Sequence, residues 1–216
     1  MKRYFQITTL IFLFFNTFLF GQTLFIGGNI GLNLSNLNYK PDLISDGYDI
    51  NFRKGITAGL FIEYPITSQF IISTELNYSM RGAEHISNGA FSPVGYRFIK
   101  KLDYLEIPIT LQYRIPLEIN IKPKIFAGAE ASFLLKAKTE YYENDMLRNE
   151  VDTKSQFQSD EYAILLGIGA DYSLYTSKII IEVRYYYGIN NINEIESSEI
   201  RNRTISFNFG YAFSIK

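Results

Sequence analysis

The feature that most constrains this chain is a side-chain alternation that recurs along most of its length. In "RTISFNFGYAFSIK" (203–216), Ile205, Phe207, Phe209, Tyr211, Phe213 and Ile215 are large and apolar. Thr204, Ser206, Asn208, Gly210, Ala212 and Ser214 between them are small or polar. A period of two is that of a β-strand with two unlike faces. Seven earlier segments read the same way: LFIGGNIGLNL (24–34), GITAGLFIEY (55–64), FIISTELNYSMR (70–81), YLEIPITLQYRI (104–115), IFAGAEASFLLKA (125–137), YAILLGIGADY (162–172) and IIIEVRYYYG (179–188). Eight strands are therefore expected.

Charge separates the two faces. With the last segment counted from Thr204 to Ile215, the apolar phase of the eight segments carries no charged residue. The opposite phase carries Glu63, Glu75, Arg81, Glu106, Arg114, Glu130, Lys136, Asp171, Glu182 and Arg184. A soluble eight-stranded barrel holds apolar residues inside and charges outside, and its interior would not hold ten ionisable groups without a severe desolvation cost. A membrane barrel inverts the arrangement, with lipid outside and a polar lumen. An Arg or Lys facing lipid at the midplane costs about 2–4 kcal/mol, so an uncharged outer phase is the expected solution. The prediction is an all-β, eight-stranded antiparallel up-and-down transmembrane β-barrel. Its ten inward charges should form a salt-bridge network, because eight strands enclose an interior only wide enough for side chains.

The N-terminus agrees with export. Lys2 and Arg3 precede the apolar stretch ITTLIFLFFNTFLF (7–20), and Gly21 supplies a small residue ahead of Gln22. This reads as a cleaved signal peptide over 1–21, leaving 22–216 as one outer-membrane barrel domain. The stretch is short for a spanning helix, which needs about 20 residues. The absence of Cys excludes disulfides, thiol catalysis and a lipoprotein anchor. A net charge of −1 steers the chain toward no nucleic acid. The 17 Tyr and 18 Phe favour strands, and many of them fall near strand ends, as interfacial girdles do.

Connections alternate in character. Segments 35–54, 82–103, 138–161 and 189–203 are long and polar, and those around 65–69, 116–124 and 173–178 are short. Outer-membrane barrels pair long extracellular loops with short periplasmic turns. An even strand count then leaves both termini in the periplasm. Proline removes a ladder hydrogen bond, so a bulge or irregularity is expected near Pro108.

Several of these segments carry a resemblance as well. GGNIGLNLSNL (27–37), GLFIEYPITSQFIISTELNYSMRGAE (59–84), YLEIPITLQYRI (104–115) and NRTISFNFGYAF (202–213) resemble the PorT-like outer-membrane β-barrel family. The resemblance implies a single-domain, eight-stranded barrel of the Gram-negative envelope, a family that rarely has a defined activity. It carries over no functional residue.

Chemistry beyond the barrel is sparse. His85, the sole histidine, falls in the second long segment near Ser87 and Ser92 and reads as a solvated loop residue rather than a catalytic base. Glu143 and Asp145 lie in an acidic loop without the Asp-x-Asp-x-Asp-Gly spacing of a calcium site. GGNIG (27–31) opens no helix and is not a nucleotide loop. No catalytic, metal or cofactor residue is therefore assigned. The expected function is structural, adhesive or assisting an envelope complex, with outer-membrane lipid, the barrel-assembly machinery and an unidentified envelope protein as partners. A narrow diffusion pore is the alternative, and a lipid-modifying enzyme comes third.

Overall fold

A computed structural model describes residues 23–40, 47–90, 92–194 and 198–215. The segment read as a signal peptide lies outside the described residues. Among the described residues nine strands are formed: β1 (Leu24–Lys40), β2 (Tyr48–Pro65), β3 (Phe70–Ser87), β4 (Tyr96–Arg114), β5 (Ile121–Glu143), β6 (Met146–Asp152), β7 (Asp160–Ser173), β8 (Ser177–Gly188) and β9 (Glu199–Ile215). A short 3-10 turn, Lys154–Gln156, follows β6. All pairings are antiparallel, in the order β4-β3-β2-β1-β9-β8-β7-β5-β6, and a further β4–β5 pairing closes the sheet into a ring. The first and last strands form the seam, from Leu24↔Ile215 to Lys40↔Glu199. An unpaired edge has no place in hydrocarbon, and this pairing removes it.

The alternation sets which way each strand faces. Leu32 and Leu60 are 62% and 67% exposed, while Glu63 and Glu106 are 2% exposed. The apolar phase thus forms the outer wall and the charged phase points inward. On β1, Gly27 and Gly31 sit where a Cβ would strike the backbone of β9, so bare backbone lets the seam strands approach closely.

Three expectations change. The segment 138–161 is not a plain loop. Asn144 and Asp145 adopt positive φ (49° and 63°), turning β5 back into β6, which pairs with β5 over Lys138–Glu143. Asn and Asp tolerate that left-handed conformation better than most residues. The ninth strand thus lies in a segment too polar to read as membrane-facing. The strands also extend well past the apolar belt at the loop end, so β1 runs to Lys40, β3 to Ser87 and β5 to Glu143. Much of what reads as loop is strand wall standing clear of lipid.

The third change concerns bulges. At Pro108 the expected irregularity takes the form of a gap and not a bulge: the β3–β4 ladder breaks between Thr74↔Ile109 and Asn77↔Glu106, then resumes in register, and Pro108 stays opposite Glu130 on β5. The bulges lie elsewhere. One falls between Asp103 and Tyr104 against Lys136 and Leu134, and another between Phe52 and Thr57 on β2.

Candidate functional site: the barrel interior and its mouth

The inward side chains stack in layers from the turn end to the loop end. At the turn end, Glu63 from β2, Arg114 from β4, Lys124 from β5, Asp171 from β7, and Lys178 and Glu182 from β8 converge. Lys124 Nζ lies 2.6 Å from Glu182, 2.9 Å from Asp171 and 3.8 Å from Glu63. Arg114 reaches Asp171 through Nη2 at 2.6 Å and Nε at 2.9 Å. Lys178 pairs with Glu63 and lies 3.2 Å from Asp171. Three carboxylates meet three cations, so the layer is neutral and knits five strands together.

Arg184 on β8 spans the next layer. Its guanidinium meets Glu75 on β3 bidentately, at 2.7 and 2.8 Å, while Nε donates to Glu182 at 2.7 Å. Asn29 and Asn77 donate to the same Glu75 oxygen at 3.0 and 2.9 Å. The cavity lined by Asn29, Phe61, Glu75, Arg184 and their neighbours measures about 10 Å³. That is at or below the roughly 10–15 Å³ a single water needs.

Above it, Arg81 is fully enclosed. Its Nη2 lies 2.6 Å from both Glu106 and Glu130, and Nη1 lies 4.0 Å from Glu161. The guanidinium sits 4.8 Å from the Tyr186 ring centroid and 5.8 Å from that of Tyr104. Asn202 donates to Glu161 at 2.6 Å and to the Tyr104 hydroxyl at 3.2 Å.

The inward phase then turns apolar. Leu37, Tyr39, Ala83, Leu102, Tyr104, Leu134, Ala137, Phe157, Ile192 and Ile200 form one buried cluster beneath the loops. Phe157 and Ile192 come from the connections after β6 and β8, which clasp each other through Phe157↔Asn193 and a Gln158 N–H donating to the Ile192 carbonyl at 2.8 Å. This cap has no counterpart among the expectations, because its members are scattered over strand ends and loops.

His85 belongs to the cap. Its Nε2 shares a 2.9 Å hydrogen bond with the Tyr39 hydroxyl, and its ring stacks on Phe98 with centroids 4.3 Å apart. It is a buried wall residue of the β3 extension, above the apolar belt, and not a solvated loop residue. Burial and the nearby Lys100 ammonium hold the imidazole down at about 3. Ser92 Oγ bonds instead with the Tyr48 hydroxyl at 2.7 Å.

Of the ten residues expected inside, nine point inward: Glu63, Glu75, Arg81, Glu106, Arg114, Glu130, Asp171, Glu182 and Arg184. Lys136 does not. The bulge opposite Asp103/Tyr104 lets Leu134 face in and both Leu135 and Lys136 face out, which resets the alternation so that Ala137 is buried. Lys124, Glu161 and Lys178 are further charges of the lumen layers outside that set. Each sits one residue before the strand start drawn from the sequence, and continuing the period of two by one step finds all three. Glu143 and Asp145 are ion-paired, with Arg148 at 3.0 Å and Arg97 at 3.3 Å.

An antiparallel sheet closed on itself, apolar outside and ion-paired within, defines a β-barrel that crosses a membrane by strands. The chain belongs to the outer membrane protein beta-barrel domain family, whose model matches residues 20–194. Its place is the outer membrane. Among solved structures it is similar to OprG of Pseudomonas aeruginosa, with 13% identity, a TM-score of 0.51, and 90% of this chain and 96% of that one covered. Neisserial surface protein A matches at 12% identity and a TM-score of 0.49, covering 90% and 99%. Ail of Yersinia pestis, solved with the heparin analogue sucrose octasulfate, matches at 12% identity and a TM-score of 0.42, covering 88% and 99%. No curated protein sequence matches this chain.

Proposed function

We propose that this protein is an eight-stranded, non-conducting outer-membrane barrel, with β6 standing outside the ring, and that it acts at its loop end as a structural or recognition element of the envelope. The observation that carries this reading is the filling of the interior. Two ion-pair layers, an enclosed Arg81 layer and an apolar cap follow one another along the axis, and the middle-layer cavity is about 10 Å³. A diffusion pore needs a continuous polar path, which this packing opposes. An enzyme is likewise disfavoured, because the histidine is sealed between Tyr39 and Phe98 and, among the described residues, no serine or threonine hydroxyl bonds to it.

Leu24 and Ile215, which pair at the start of β1 and the end of β9, lie at the turn end. Delivery through the periplasm places them there and the loops outside, after removal of residues 1–21 as a signal peptide. The alternating aromatics of β9 suit recognition by the barrel-assembly machinery. The strand wording of 27–37, 59–84, 104–115 and 202–213 supports a PorT-like reading, with an envelope protein as the partner class. Outer-membrane lipid surrounds the belt.

Single-channel recording in planar bilayers tests this reading. Protein that shifts its gel mobility on boiling, and so is folded, should show no conductance steps. Stable steps from such protein would sink it.

A further inference from the structure

The mouth of the barrel, above the cap, holds a cavity of about 350 Å³ lined by Tyr48, Tyr96, Phe98, Lys100, Tyr141 and residues beside them. That size is at the lower end of small-molecule sites, which run from roughly 300 to 1,000 Å³. The walls belong to the parts of β2, β4 and β5 that stand clear of the apolar belt, so lipid does not fill the cavity.

Aromatic walls of this kind suit a ligand cation in principle. The charges around them do not. Arg97, Lys100 and Arg148 all line the cavity. Arg97 and Arg148 are already engaged, by Glu84 at 2.6 Å and Glu143 at 3.0 Å. Lys100 has no carboxylate partner among the described residues. Its ammonium lies over the rings of Tyr39 and Phe157, 5.3 and 5.7 Å from their centroids. Burial lowers its pKa to about 8. A desolvated ammonium with only π-faces beneath it is stabilised by an anion arriving from above.

The remaining polar groups favour a hydroxyl-rich ring. The Tyr96 hydroxyl donates to Glu143 at 2.9 Å and the Tyr142 hydroxyl to Glu140 at 2.8 Å, leaving their oxygens as acceptors. The Tyr141 hydroxyl makes no hydrogen bond among the described residues, and the Gln156 amide also faces the cavity. Flat aromatic faces ringed by donors and acceptors, with one uncommitted cation at the floor, match a sugar ring bearing an acid group.

We infer that this mouth cavity binds an acidic sugar residue, its anionic group on Lys100 and its ring against Tyr48, Phe98 and Tyr141. The inference rests on the loop end facing outward, and it names what that surface recognises. The source is either an extracellular glycan or the sugar head of a lipid.

The test uses the folded barrel in detergent with D-glucuronate, D-glucose and benzoate as probes. The chain has no Trp, and Tyr48, Tyr96, Tyr141 and Tyr142 line the cavity, so the change in tyrosine emission on titration, checked by calorimetry, reads binding. Glucuronate should bind about tenfold or more tighter than glucose, the scale of one charge-assisted contact, and tighter than benzoate. Lys100→Gln should erase the advantage over glucose, whereas Lys136→Gln on the outer wall should keep it. Equal binding of glucose and glucuronate, stronger binding of benzoate, no binding, or an unaffected Lys100→Gln variant would each overturn the inference. Gel mobility before and after boiling shows that each variant is folded, so these failures are distinct from failure of the barrel reading. In a second arm, glucuronic-acid-containing oligosaccharide and vesicles carrying an acidic glycolipid separate the two sources.

Discussion

Arg184 on β8 and Glu75 on β3 meet across the barrel axis in a two-pronged contact, Nη2–Oε1 at 2.7 Å and Nη1–Oε2 at 2.8 Å. The two are far apart in sequence and no neighbouring strand pair joins them, so the contact holds opposite walls together. Removing one partner of a buried pair leaves an uncompensated charge, at a cost of about 3–5 kcal/mol. Arg184→Met should therefore lower unfolding stability in detergent by that order. The double variant Arg184→Met with Glu75→Leu should lose clearly less than the sum of the two single changes. Additive losses in the double-mutant cycle would show that the two residues do not interact.

Outer-wall substitutions should separate the lipid belt from the strand extensions. Leu60→Arg places a cation on the apolar belt and should cost about 2–4 kcal/mol in bilayer unfolding. Lys136→Leu should change stability by less than about 0.5 kcal/mol, as surface changes away from special features do. A large loss for Lys136→Leu would mean that Lys136 points into the barrel and that the bulge is misplaced.

The buried imidazole of His85 gives stability a pH dependence. Its folded pKa of about 3 is below the ordinary 6.5, so the unfolded chain takes up the proton first as pH falls. This contribution is complete above about pH 6.5 and declines as pH drops from there toward 3, by up to about 1.4 kcal/mol per pH unit. His85→Phe should flatten that segment of the stability–pH curve relative to wild type. Parallel curves for the two proteins between pH 6 and 4 would refute it.

The cap and the charged layers should seal independently. Phe157→Ala removes a buried aromatic and should cost about 3 kcal/mol, within the range for buried aromatic-to-alanine changes. Planar bilayers should still show no conductance with this variant, because the ion pairs below remain. Channel steps from Phe157→Ala would show that the cap alone closes the barrel.

Much of the wall was legible because lipid and a narrow lumen impose one rule on every strand. Ile205, Phe207, Phe209, Tyr211, Phe213 and Ile215 face out and Asn208 and Gly210 face in, as alternation requires, and the inward course of Glu75, Arg81 and Arg184 follows from the same period. What the period does not carry is a change of phase. The bulge that turns Lys136 outward depends on the partner residues Asp103 and Tyr104 on β4, a contact made only when β4 and β5 pair. The strand limits were drawn where apolar residues stop, so Lys124, Glu161 and Lys178 fell just outside them.

Sequence alone determined the solvent on each face of the sheet, since side-chain direction along a strand is set by covalent geometry and the hydrophobic pattern. Tertiary structure decided which charges meet across the lumen, how the cap encloses His85, and how Lys100 at the mouth meets no acid among the described residues. Those depend on strand register and on loops folding back over the ring, and neither is written in any local stretch of residues.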